Sequence, residues 1–171
     1  MWGNEIEIRA KAYGEHRQLM LGNCLGLGAD GSVWVIHDKT EPDRWAVKLH
    51  RHRSAYLRER DCYQRLHELG IIHILGFHVP QLLRWDDDWM AIEMSLVAMP
   101  FLVDFASAWL DEPPEFSTEV WDEWEADRSE KFEHRWPTAK AVIRTLETLG
   151  IYLTDVHPGN LAFPDGEGFE T

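Results

Sequence analysis

Leu25-Gly26-Leu27-Gly28-Ala29-Asp30-Gly31-Ser32-Val33 stands between two apolar runs, Gln18 to Leu25 and Val33-Trp34-Val35-Ile36-His37, and its reading decides the fold. Both runs read as strands, the second because it is β-branched and aromatic. Three glycines at the first, third and sixth places let a tight loop bring backbone N–H groups close to an anion, most often a phosphate. In a dinucleotide-binding unit such glycines open a helix and an acidic residue follows about 20 residues on. Here a strand follows, then a turn expected at Glu41-Pro42-Asp43. The next strand is Trp45-Ala46-Val47-Lys48-Leu49, and its inward candidate is a lysine. That order excludes the dinucleotide fold.

Far along the chain comes Thr154-Asp155-Val156-His157-Pro158-Gly159-Asn160-Leu161-Ala162-Phe163, an aspartate and an asparagine in one loop with an apolar strand behind them. The glycine loop, the strand pair and Ala46-Val47-Lys48 resemble the opening of the protein-kinase-like superfamily. The Asp155 to Asn160 stretch resembles its catalytic loop, in the wording of the aminoglycoside- and choline-phosphotransferase-like branches. The resemblance implies an α+β fold: a five-stranded antiparallel N-lobe with one helix over residues 1–96, and a reduced, mainly helical C-lobe over 97–171. It implies ATP and magnesium as cofactors. Asp155 would orient the attacking hydroxyl, Lys48 would hold phosphates, and Asn160 would be the metal ligand. The nucleotide would be contacted by Leu25, Gly26, Gly28, Gly31, Val33, Ala46, Lys48, Glu59, Ile92, Glu93 and Ser95. For Leu25 and Val33 the alternative is ordinary core packing.

Between Arg51 and Glu68 apolar residues recur at helical spacing (Ala55, Cys62, Tyr63, Leu66), Ser54 is a candidate cap and Gly70 a stop. Glu59 in this helix resembles the family's lysine-pairing glutamate, with Glu68 in reserve. A carboxylate on a packed helix fixes a lysine that would otherwise wander. Seven cations between Arg44 and Arg65 form a basic stretch, either a solvated helix face or a docking surface for an acidic partner.

The remaining segments are read in order. Residues 1–16 alternate weakly at Ile6 and Ile8 and suggest a short leading segment or strand. Residues 79–85 and 89–94 form a hairpin about Asp86-Asp87-Asp88. Ile92 would then be the gatekeeper, and the backbone of Glu93 to Ser95 would face the adenine edge. Ser95 to Pro100 reads as a hinge and Phe101 to Leu110 as an apolar helix. Between Asp111 and Glu133 ten carboxylates face only Arg128 and Lys131. That segment is a solvated acidic face over an apolar stripe, or a site for a basic substrate or partner. A helix over 138–149 follows Pro137. Pro164-Asp165-Gly166-Glu167-Gly168 reads as a hairpin turn. The second metal-binding aspartate that the resemblance implies would lie further beyond Asn160 than Thr171 does.

The 171 residues carry a net charge of −13, which argues against nucleic acid as a partner because phosphate backbones need surplus lysine and arginine. No apolar run approaches the ~18 residues of a membrane span, so no membrane partner is expected. With two cysteines and no leader-like segment at its start, the chain is expected to be cytoplasmic. The expected function is ATP-dependent phosphoryl transfer to a protein Ser/Thr hydroxyl or a small-molecule hydroxyl. The alternative is a pseudokinase, or an acidic scaffold or inhibitor, binding ATP or a partner protein without catalysis.

Overall fold

A computed structural model describes residues 2–40 and 44–164 of the chain. The expected turn at Glu41-Pro42-Asp43 and the expected hairpin turn from Asp165 onward lie outside these residues.

The chain opens with α1 (Trp2–Arg17), a helix where alternation suggested a strand. Glu, Arg, Ala and Lys favour a helix, and Glu7 pairs with Lys11 one turn on at 2.7 Å. Ala10 and Tyr13, three apart, are fully buried, while Ile8 faces solvent. The helical period therefore prevails over the two isoleucines.

Next come β1 (Met20–Leu27), β2 (Gly31–His37) and β3 (Arg44–His50), followed by α2 (Arg53–Glu68). A short hairpin, β4 (His73–Ile74) and β5 (Phe77–His78), precedes the longer hairpin β6 (Leu82–Asp86) and β7 (Ala91–Met94). The five long strands form one sheet in the order β1-β2-β3-β7-β6, antiparallel throughout. The cap of α2 is His52, without a side-chain bond, and Ser54 lies inside the helix rather than capping it. Gly70, at φ +65°, follows its end.

Alternation along the strands divides the sheet into two faces. Val47, Leu49 and Ala91 pack with Trp34, Ile36 and the buried side of α1. Ala46, Ile92 and Met94 face the other way, into a larger core shared with Tyr56 and Tyr63 of α2. That core continues without interruption into the second half of the chain, through Phe105, Val142, Leu146 and Leu161. Two helices therefore flank the sheet, one more than expected.

The second half contains β8 (Phe101–Leu102), β9 (Trp109–Leu110), α3 (Thr118–Phe132), a 3-10 turn (Glu133–Arg135), α4 (Trp136–Thr148), β10 (Ile151–Tyr152) and β11 (Leu161–Ala162). The helix expected over 101–110 is instead two short strands joined by a turn. β8 pairs with β5 and β11, and β9 pairs with β10. Left-handed backbone at Asp104 (φ +71°) and Asp111 (φ +68°) is incompatible with a continuous helix. A short apolar run does not distinguish strand from buried helix by period alone, and here strand partners decide. The fold is mixed α+β with a five-stranded antiparallel sheet. None of the described helices is long and apolar enough to cross a membrane.

Candidate functional site

Lys48 and Ala46 project from β3 on the side facing α2. The Lys48 side chain is almost fully buried, and its Nζ lies 2.7 Å from Glu59 Oε2 and 2.9 Å from Asp104 Oδ1. The expected lysine–glutamate pair is therefore formed by Glu59, while Glu68, at the exposed end of α2, takes no part. Burial alone would lower the Lys48 ammonium's affinity for its proton, but Glu59 and Asp104 more than offset that and raise it. For Glu59, burial pushes the carboxyl up. Lys48 and a hydrogen bond from His50 outweigh burial and hold it at about 2.

Asp104 is a site residue that the expected helix over 101–110 concealed. It follows β8, and its Oδ1 also accepts the Ala106 amide at 3.2 Å. The next residue, Phe105, is fully buried, edge-on to Tyr63 at 5.1 Å. Two side chains of α2 hold this segment: Arg58 Nε donates to the Ala106 carbonyl at 2.8 Å, and Glu59 Oε1 accepts the Phe105 amide at 3.3 Å. An Asp-Phe pair closing a short apolar strand was the available signal.

The Asp155 to Asn160 loop lies against the same segment. The Val103 amide donates to the Asn160 carbonyl at 2.8 Å, and the strand after the loop, β11, pairs with β8. Thr154 Oγ1 donates to the Ser107 carbonyl at 3.1 Å. Within the loop, Asn160 Nδ2 donates to the Asp155 carbonyl at 2.7 Å and its Oδ1 accepts the His157 amide at 2.9 Å. His157 Nδ1 accepts the Gly159 amide at 3.0 Å, which helps to shape the loop. The Asp155 carboxylate is left 65% exposed, with Arg128 Nη2 3.8 Å away. Arg128 and Trp124 reach from α3 to the Thr154 carbonyl at 3.2 and 2.6 Å, a contact with the loop that the reading of 111–133 as an acidic face did not assign them.

The three glycines of the opening motif divide into two kinds. A Cβ on Gly31 would sit 2.3 Å from the Leu49 carbonyl oxygen, so its bareness serves the β2–β3 pairing. Gly26 and Gly28 have open space where a Cβ would be. Gly28 donates its amide to the Gly31 carbonyl at 2.9 Å, closing the turn. Leu25 is exposed on β1, whereas Val33 packs against the large core and is registered opposite Lys48. Ala46 and Ile92 are buried on the Lys48 face.

Glu93 points to the opposite face. Its buried carboxylate accepts Tyr13 Oη–H at 2.7 Å, Arg17 Nε–H at 2.8 Å and Trp45 Nε1–H at 2.9 Å. Only its backbone is left for the cleft side. Ser95 is tied to Gln81 twice, donating its amide to the Gln81 carbonyl at 2.9 Å and accepting the Gln81 amide on Oγ at 2.8 Å.

The basic stretch is largely engaged within the chain. Lys48, Arg53, Arg58, Arg60 and Arg65 of the basic stretch all bond to other segments, Arg65 to Asp111 at 2.8 Å and to the Leu149 and Gly150 carbonyls. In the acidic segment Glu112, Glu115, Asp122, Glu123 and Glu130 are exposed. Beneath them Trp121, Trp124 and Trp136 stack edge to face.

Magnesium binds through one or two carboxylates plus substrate phosphates and water rather than an all-protein cage. Among the described residues no three His, Cys, Asp or Glu side chains form such a cage. The Val103–Asn160 backbone bond sets the segment that carries Asp104 beside the loop that carries Asn160. Comparison with protein-family models, with curated proteins and with solved structures finds no match.

Proposed function

We propose that this chain binds ATP between the sheet and the Asp155–Asn160 loop and transfers its terminal phosphoryl group to a hydroxyl. One observation carries the reading. A buried lysine is clamped between a helix carboxylate and a second carboxylate, whose segment is bonded by its backbone to an Asp/Asn loop. Phosphoryl transfer is mostly positioning and charge neutralisation, and these are the parts it requires.

Lys48, oriented by Glu59, would hold the non-transferred phosphates beneath Gly26 and Gly28. Asp104 would take the place that the kinase-like resemblance gives to an aspartate beyond Asn160, so that Asp104 and Asn160 hold magnesium. When bound, the metal supplies charge neutralisation for the phosphates. Asp155 would receive the acceptor hydroxyl's proton as the oxygen attacks phosphorus, and ADP would leave. The acceptor, protein Ser/Thr or small molecule, is an open choice of this reading. Two free thiols, Cys24 exposed and Cys62 buried, support a cytoplasmic setting.

A second reading, nucleotide binding without transfer, is favoured by Asn160, whose amide oxygen and nitrogen are both engaged in closing the loop. Calorimetry with ATP, with and without magnesium, followed by radiolabelled transfer assays on the protein itself and on protein and small-molecule acceptors, separates the two. Transfer lost in Asp155→Ala supports catalysis. Binding without transfer supports the second reading, and no binding in either condition overturns both.

A further inference from the structure

The Glu59 carboxylate receives two donors on one oxygen. Lys48 Nζ is 2.7 Å from Oε2, and His50 Nε2 is 2.6 Å from the same atom. His50 is completely buried, and its other ring nitrogen, Nδ1, lies 3.2 Å from the Met90 carbonyl. That carbonyl also accepts the backbone amide of His50 at 3.0 Å. A carbonyl and an ionised carboxylate can only accept, and a neutral imidazole offers a single N–H. In a neutral His50, one ring nitrogen would therefore face an acceptor lone pair to lone pair, in a place sealed from water. An imidazolium satisfies both contacts.

The surroundings of the ring agree with a positive charge. From α2 it meets Glu59 and the edge of Tyr56, ring centroids 5.6 Å apart, and the Tyr56 hydroxyl donates to Asp87 at 2.7 Å. From its own strand it has Lys48, and from the β6–β7 turn the Met90 carbonyl. From α1, Arg9 donates to the His50 backbone carbonyl at 2.6 Å and to the Trp89 carbonyl, and not to the ring. Lys48 and a charged His50 balance Glu59 and Asp104.

We propose that His50 is held at neutral pH as a buried imidazolium and is the positioning residue for Glu59. Its charge shares Glu59 Oε2 with Lys48, so that the carboxylate does not neutralise the ammonium alone and Lys48 can serve an incoming phosphate. The first half stands on geometry alone, and the second rests on the nucleotide reading of Lys48 given above. A neutral ring would leave Lys48 as the sole counter-charge of Glu59 and draw the ammonium away from phosphate.

Nitrogen NMR of the ring-labelled histidines in the wild-type protein tests the charge directly, with His50 assigned by its contacts to Tyr56. Both His50 ring nitrogens are expected to be protonated at pH 7, and one bare nitrogen at that pH overturns the proposal. Binding of a fluorescent ATP analogue between pH 6 and 9 tests the positioning role. Wild-type affinity is expected to fall about three- to tenfold in step with loss of the His50 proton. His50→Gln is expected to bind weakly at every pH with a flat profile. A wild-type protein that binds the analogue equally well before and after His50 loses its proton overturns the positioning role. Absence of binding at any pH with both nitrogens protonated removes the phosphate reading of Lys48 and supports the imidazolium.

Discussion

Replacing Glu59 by glutamine keeps the side-chain shape and removes the charge at the centre of the cluster. The ionised carboxyl is favoured in the folded protein because its pKa falls from 4.5 to about 2. At about 1.4 kcal/mol per unit, that difference is on the order of 3 kcal/mol. Removing one partner of a buried ion pair costs about 3–5 kcal/mol by a separate route, because the other charge is left uncompensated. Lys48 would keep Asp104, which is partly solvated, but the buried His50 ring would lose its carboxylate partner, so about 3 kcal/mol is the least expected. In a chain of this size, about 3 kcal/mol lowers the melting temperature by roughly 6–12 °C. Urea unfolding followed by the fluorescence of nine tryptophans measures it. Glu68→Gln, on the exposed end of the same helix, should change stability by less than about 0.5 kcal/mol. If the two variants unfold alike, within about 1 kcal/mol of wild type, the cluster is not the anchor between sheet, helix and the 104–106 segment.

The same carboxyl predicts an acid limb. Because the Glu59 pKa is depressed on folding, its contribution is complete above about pH 4.5 and is lost as pH falls towards about 2, so denaturation midpoints should drop across that window and should drop less in Glu59→Gln. Gly31→Ala should cost about 3 kcal/mol or more, since the new Cβ meets backbone held in strand pairing, whereas Gly28→Ala should leave folding within about 0.5 kcal/mol and weaken ATP binding; equal effects of the two on stability would show that the glycines are not divided as described. Tyr13→Phe removes one of three donors to the buried Glu93 carboxylate and should cost about 1.5–3 kcal/mol by thermal unfolding, with a loss under 0.5 kcal/mol excluding a firm seat for α1 on the sheet.

The sheet was legible because each strand carried its own signal: β-branched and aromatic runs, glycine turns and the Asp86–Asp88 hairpin. The Lys48–Glu59 pair was legible only through the kinase-like resemblance, which gives the strand lysine a glutamate on the next helix, and the sequence left Glu68 as a second candidate for it. Two elements were misread for physical reasons. In α1, Ile6 and Ile8 mimic a strand, and only the packing of Ala10 and Tyr13 on the sheet reveals the helical period. At 101–110 the run is too short for periodicity to choose, and its strand partners β5, β10 and β11 are supplied by distant parts of the chain.

That second misreading matters most for the site, since it hid the second carboxylate bonded to Lys48. A search along the sequence looks for the second acidic residue after Asn160, where the kinase-like resemblance puts it. Pairing across strands is indifferent to chain order: β11, leaving the Asp155–Asn160 loop, needs only an antiparallel neighbour, and β8 fills that place from upstream. The residues after β8 then turn beneath α2, where Arg58 and Glu59 bind the backbone of residues 105 and 106 and Phe105 fills the core. With Phe105 anchored and the backbone left-handed at 104, the Asp104 side chain is directed to Lys48. An aspartate upstream of the loop thus reaches the lysine, because the strand before it is the one β11 pairs with.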